Sequence, residues 1–119
     1  MQGLSIDNGW LAAARHLPSP NHDARPPGTA VDTLVVHGIT LPPGHFGRGQ
    51  VDALFTNRLE AAAHPYYAAI AHLKVSAHLL IERSGRVTQY VSFDERAWHA
   101  GRSCFDGREA VNDFGIGIE

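Results

Sequence analysis

The residues of this chain that could do chemistry are histidines and one glutamate, each set where a predicted backbone element begins or ends. His37 closes the apolar run Leu34-Val35-Val36 and is followed by Gly38. His78 opens another β-rich run, His99 sits in the loop Trp98-His99-Ala100-Gly101, and Glu119 is the final residue. An imidazole at the lip of a sheet can hold a metal or move a proton near neutral pH. The residues outline a cleft rimmed by His37, His99 and Glu119 and by themselves reach no reaction. Each of these residues also has a plain structural reading. His37 can cap its strand, and His78 can be a satisfied strand histidine. Trp98-His99 can plug a sheet edge, and Glu119 can be a solvated charge.

No spacing singles out a metal site from the residues alone. There are eight histidines, but no His-Glu-x-x-His and no paired cysteines. No serine stands in a nucleophile-elbow context. Cys104 is the single cysteine. It permits no internal disulfide, fits a reducing compartment, and reads as a spectator thiol in a loop.

Composition bounds the function class. The chain has 119 residues, 44% of them hydrophobic, which suits one domain with a moderate core. Ten basic against twelve acidic residues give a net charge of −2. That balance argues against nucleic acid and anionic membrane surfaces as partners. There is no signal-peptide pattern and no apolar run near the roughly 20 residues a bilayer span needs. The expected location is the cytoplasm.

These residues must be held by a scaffold, and the chain outlines one. Met1 to Asn8 reads as frayed, and Trp10 to Leu17 as a short edge strand or a helical turn. Four prolines between residues 18 and 29 make an extended arm. Leu34 to Val36 reads as a strand buried on both faces. A loop rich in glycine and proline follows from Leu41 to Gln50, then helical turns over Val51–Phe55. Residues Glu60–Leu73 predict a helix, with Tyr66, Tyr67, Ile70 and Leu73 facing the sheet. Ala77–Arg83 and Arg86–Val91 predict a hairpin about a Ser84-Gly85 turn. Phe93–Gly101 reads as a loop and Asp106–Asn112 as a helical turn. Phe114–Glu119 reads as a last strand whose glycines, Gly115 and Gly117, admit a close neighbour. The order predicts a mixed α/β domain, a central sheet with helices against it.

Several blocks together resemble the zinc-dependent N-acetylmuramoyl-L-alanine amidases, most closely the AmpD-type anhydro-muramyl-peptide amidases. They are Gly9-Trp10-Leu11, Pro18-Ser19-Pro20-Asn21-His22-Asp23, Leu34-Val35-Val36-His37 and Ile39-Thr40-Leu41-Pro42-Pro43-Gly44. The similarity continues through Asp52-Ala53-Leu54-Phe55-Thr56, Ala63-His64-Pro65 and Val75-Ser76-Ala77-His78. It ends with Ala97-Trp98-His99-Ala100-Gly101 and Asn112-Asp113-Phe114-Gly115-Ile116-Gly117-Ile118-Glu119. The blocks keep their order along almost the whole chain.

The resemblance implies an amidase/peptidoglycan-recognition fold, with residues 1–119 a single amidase-like domain that forms the N-terminal part of a longer one. It implies hydrolysis of the amide between anhydro-N-acetylmuramic acid and L-alanine in muropeptides recovered from the cell wall. It implies Zn2+ as cofactor, His37 as a zinc ligand and Glu119 as the catalytic glutamate. Trp98 and His99 would line the substrate groove, and Lys74 would meet a peptide carboxylate. In the family, a second histidine ligand, an aspartate ligand and a basic residue come from chain beyond the position of Glu119. With one ligand of the usual three, the 119 residues are expected to bind zinc poorly and turn over little. Gly38 stands where relatives often carry asparagine, so one substrate hydrogen bond is expected to be lost. Apolar sheet surface left bare by the missing segment predicts self-association. A non-catalytic muropeptide-binding module is the alternative of a different class. A folding fragment without activity is a third.

Overall fold

The computed structural model describes residues 5–36, 48–59, 74–99, 104–105, 108–109 and 111–119. Residues 37–47 and 60–73 are among those that lie outside these ranges. The expectations for His37, for most of the glycine- and proline-rich loop and for the Glu60–Leu73 helix therefore fall outside the described residues.

The N-terminal stretch is more ordered than its composition suggests. β1 (Ile6–Asp7) and β2 (Trp10–Leu11) form an antiparallel hairpin. Asn8 and Gly9 make its loop with φ of 51° and 80°. Positive φ at both central residues is what a type I′ turn needs, and Asn-Gly supplies it cheaply. β3 (Arg15–His16) then runs parallel to a later strand at the sheet edge. The edge-strand reading of Trp10–Leu17 thus holds for β3, and the helical one does not. Within the proline-bearing arm, β4 (His22–Ala24) pairs antiparallel with β8 (Glu95–Ala97), so the expected loop after Phe93 contains a strand.

Among the described residues, the central sheet has five strands, in the order β3, β7 (Val87–Gln89), β6 (Leu79–Ile81), β11 (Gly115–Ile118) and β5 (Thr33–Val36). β6 and β7 are antiparallel, while β11 is parallel to both of its neighbours. The sheet is mixed, as expected. β6 and β7 are the predicted hairpin, but its loop is the three residues Arg83–Gly85 rather than a Ser-Gly pair. Glu82 and Arg86 close it, and Gly85 has φ of 90°. That is the type I turn plus left-handed glycine of a three-residue loop.

β5 corrects the expectation of a strand buried on both faces. It lies at the edge of the sheet, with Leu34 67% and Val36 74% exposed. An unbroken apolar run does not say how many faces are covered, because covering depends on what packs there.

α1 (Arg48–Phe55) covers the predicted helical turns and begins three residues earlier. Val51, Leu54 and Phe55 share one helical face, and all three are buried. They meet Ala77, Leu80, Tyr90, Val91 and Ala97 in the main core, where Phe55 and Tyr90 pack edge to face at 4.9 Å. Asn57, at φ 60°, ends the helix in the left-handed conformation. Its N–H donates to the Leu54 carbonyl and that of Arg58 to Ala53, a Schellman closure.

β9 (Cys104–Phe105) and β10 (Arg108–Glu109) form a small antiparallel pair. Of the expected helical turn over Asp106–Asn112, residues 106, 107 and 110 lie outside the described residues, Arg108–Glu109 are strand, and a 3-10 turn covers Val111–Asp113. It delivers the chain into β11.

Candidate active site

Glu119 extends β11, which among the described residues has a parallel neighbour on each side in the central sheet. The carboxyl ends of parallel strands are where α/β sheets place their sites. The Glu119 backbone is fixed by donation of its N–H to the Leu79 carbonyl and by acceptance from the Ile81 N–H. Its carboxyl oxygen Oε2 is buried. Burial disfavours the ionised form and pushes the carboxyl up to about 7.

Side chains alternate along a strand, so Gly115, Gly117 and Glu119 share a face. His99 occupies that face. A Cβ on Gly117 would stand 2.5 Å from His99 Cγ, so only glycine lets the ring lie against the strand. A Cβ on Gly115 would meet the Val111 carbonyl oxygen at 2.8 Å. The two glycines admit close neighbours as expected, a side chain at one and backbone at the other. The structure thus places His99 and Glu119 on one side of β11.

His78 lies beside them, fully buried, its ring 6.2 Å from that of His99. Its Nδ1 accepts the Gly117 N–H at 3.1 Å, and its Nε2 lies 2.9 Å from the Glu95 carbonyl oxygen. This pairing defines the neutral tautomer with hydrogen on Nε2. Desolvation lowers its pKa to about 4, against the pull of the Glu95 carbonyl and with help from the Arg25 charge. His78 is therefore the satisfied structural histidine, not a proton carrier.

Trp98 is half-buried. Its indole N–H donates to Asp23 at 3.2 Å, and its backbone exchanges hydrogen bonds with Ser76. Asp23 also receives Arg96, which reaches on to Asp113. Lys74 is exposed, two residues before Ser76. His99, Trp98 and Glu119 thus belong to connected elements, while His37 lies outside the described residues. Among the described residues, no three His, Cys, Asp or Glu side chains are grouped to hold a metal. A surface cavity of about 310 Å³, lined by Trp10, His22, Asp94 and Glu95 among others, includes none of the predicted site residues.

Sequence reasoning missed Arg25. Its guanidinium donates to the carbonyls of Phe93, Asn112, Asp113 and Gly115 at 3.0–3.2 Å. An arginine before two prolines carries no local signal, because all its partners come from distant sequence.

The sequence model of the N-acetylmuramoyl-L-alanine amidase family, Amidase_2, matches residues 27–119. The chain is 60% identical over 116 residues to the 1,6-anhydro-N-acetylmuramyl-L-alanine amidase AmpD of Citrobacter freundii, covering 98% of this chain and 62% of that protein. It is 57% identical over 116 residues to AmpD of Escherichia coli K12, covering 98% of this chain and 63% of that protein. Among solved structures, a crystal structure of a selenomethionine AmpD derivative superposes with a TM-score of 0.91 at 58% identity. That match covers 97% of this chain and 64% of the other. The solution structure of Citrobacter freundii AmpD matches with a TM-score of 0.62 at 58% identity, over 97% of this chain and 62% of that one. The chain spans somewhat under two thirds of the length of these relatives.

Proposed function

This chain belongs to the N-acetylmuramoyl-L-alanine amidase family, and on that premise we propose that it serves hydrolysis of the amide joining anhydro-N-acetylmuramic acid to L-alanine in muropeptides. The observation that carries the reading is the Glu119 carboxyl, buried at the carboxyl end of the central parallel strand and poised at about 7. A carboxylate with that pKa is ionised in part at neutral pH. It can take the proton of an attacking water and return it to the departing amine. In this reading His99 walls the same face of the strand. The Trp98 ring offers an apolar surface to the sugar or peptide, oriented by its bond to Asp23. The exposed Lys74 ammonium faces the peptide carboxylate. The substrate is a wall-recycling product met in the cytoplasm. Among the described residues, no helix is long and apolar enough to cross a membrane.

Zinc enters through the family, with His37 as a proposed donor. In register, Val36 pairs with Ile118. His37 is the next residue after the one, and Glu119 the next after the other. The described residues do not by themselves make a zinc site, since they offer no grouped set of three donors. With His37 as the one donor that the family resemblance supplies, against the usual three, we infer weak zinc retention and little turnover for the 119 residues on their own.

Zinc content by atomic absorption, and release of the peptide from an anhydro-muropeptide, test this. Both are measured on this chain and on the chain joined to the remaining third of an AmpD relative. The joined chain should hold about one zinc and hydrolyse the amide, as three-ligand catalytic sites do. A joined chain without metal sinks the enzyme reading. Binding without hydrolysis would favour a recognition module.

One face of the sheet bears on assembly. Leu34 pairs with Ile116 and Val36 with Ile118, and Leu79 also pairs with Ile118. Leu34, Val36, Ile116, Ile118, Leu79 and Ile81 thus point to one side. Leu34 and Val36 are largely exposed there, and Ile81 is 49% exposed. We assign this face to contact between two copies of the 119-residue chain. Gel filtration should show a species larger than monomer. A clean monomer that binds no hydrophobic dye refutes it.

A further inference from the structure

β11 carries Glu119, yet the strand is short, and the turn before it is a single 3-10 turn. Something must fix where β11 enters the sheet. Two side chains from outside it make bonds suited to that task.

Arg25, at the end of the β4 arm, spreads its guanidinium over four carbonyls from three segments. Phe93 belongs to the loop before β8, Asn112 and Asp113 to the 3-10 turn, and Gly115 is the first residue of β11. A planar fork with five N–H donors can satisfy such a set, and a lysine ammonium cannot. Arg25 Nη2 also lies 3.3 Å from His78 Nε2. His78 grips the middle of the strand from the other direction. Its backbone N–H donates to the Gly117 carbonyl at 3.0 Å, and its Nδ1 accepts the Gly117 N–H at 3.1 Å. That second bond exists only while Nδ1 carries a lone pair. The groups around the ring keep it so. Nε2 faces the Glu95 carbonyl, the Arg25 cation stands beside it, and the rings of Phe93 and His99 flank it at 5.9 and 6.2 Å. None of these is an anion that would favour an imidazolium.

We propose that Arg25 and His78 are a positioning pair for Glu119: Arg25 sets the start of β11, and neutral His78 holds Gly117, two residues before the carboxylate. The inference rests on Glu119 being the working carboxylate of the proposed amidase. The network places that carboxylate without touching substrate.

Amide hydrogen exchange on two histidine variants tests it. In His78→Asn, the amide oxygen takes the place of Nδ1 and can still accept from Gly117. In His78→Gln, the longer side chain reaches toward the Glu95 carbonyl instead and leaves the Gly117 N–H without its acceptor. Both remove the ring, and a role as mere core filling predicts the reverse order, because the smaller asparagine leaves the larger cavity. We expect His78→Gln to speed exchange at Gly117 and Glu119 by about tenfold or more, and His78→Asn by less than about threefold, with Thr88 and Gln89 of β7 unchanged in both. Equal rates in the two variants, the reverse order, or loosening of β7 to the same degree, overturn the proposal.

Arg25→Lys is the second arm and decides if the histidine variants do not fold. It should speed Glu119 exchange about tenfold with β7 unchanged, and a uniform change or none refutes the pair. These readouts use no substrate. If Glu119→Gln keeps full turnover in the joined chain, the role of Glu119 as the working carboxylate fails, while the exchange data still judge whether the pair holds β11.

Discussion

Glu119→Gln in the chain joined to the remainder of a relative lowers amide hydrolysis by roughly 10²- to 10⁴-fold, the usual contribution of a positioned proton-transfer group. Glutamine keeps the shape and the backbone bonds to Leu79 and Ile81, so folding is preserved and the loss falls on kcat. The pH profile makes the assignment specific. With the carboxyl at about 7, the ionised base grows as pH rises toward 7. The acid limb of kcat/KM should climb about tenfold per pH unit below that point and level off above it. The glutamine variant should lose that inflection.

Stability moves in the other direction at the same residue. A carboxyl whose folded pKa lies above its ordinary 4.5 favours the fold when protonated. That contribution is complete below about 4.5 and is lost as pH rises through about 7. The Glu119 side chain is partly solvated, so the effect is modest. It should appear as a stability gain of Glu119→Gln over the parent that widens from pH 4.5 to 7. A variant that keeps the inflection in turnover would place the base elsewhere.

His78 carries the second large effect, with the opposite sign. Its folded pKa is about 4 against an ordinary 6.5, because the buried ring stays neutral. The stability it lends is present above 6.5 and lost as pH falls through about 4. The size is roughly 3 kcal/mol for a shift of this magnitude. Glu119 gains stability over part of the same range, so the raw curve mixes the two. The difference between the parent and His78→Asn isolates the histidine, since an asparagine side chain does not titrate. Urea unfolding at pH 7 and at pH 4 should show that difference shrinking by roughly 3 kcal/mol. A difference that stays constant would mean that His78 is charged in the folded chain or hydrated. Both would contradict its bonds to Gly117 and the Glu95 carbonyl.

Local sequence rules found the elements whose own residues carry the pattern. The Leu79–Gln89 hairpin, the helical turns at Val51–Phe55 and the strand ending at Glu119 were readable from apolar runs, glycine and β-branched residues. The β1–β2 hairpin was equally readable, since Asn8-Gly9 is a strong turn signal. The strands on either side have only two residues each and show no alternation, so the turn signal stands without a strand pattern beside it. The edge position of β5 and the β4–β8 pairing were not legible. A short strand has the same local sequence whether its partner is near or, like that of β4, more than 70 residues away.

The candidate site divides along the same line. The order of the family's blocks, and the identity of Glu119, His99, Trp98 and Lys74 as site residues to be tested, came from the sequence by itself. So did the membership of the amidase family, which the comparisons then established. Tertiary structure alone decided that His99 rests on Gly117, that His78 is neutral and buried, and that Arg25 gathers four carbonyls at the foot of β11. The physical reason is that a pKa, a steric seat and a multidentate hydrogen bond are properties of surroundings. Those surroundings are assembled here from segments 17 to 90 residues apart, and no local pattern records which of them will meet.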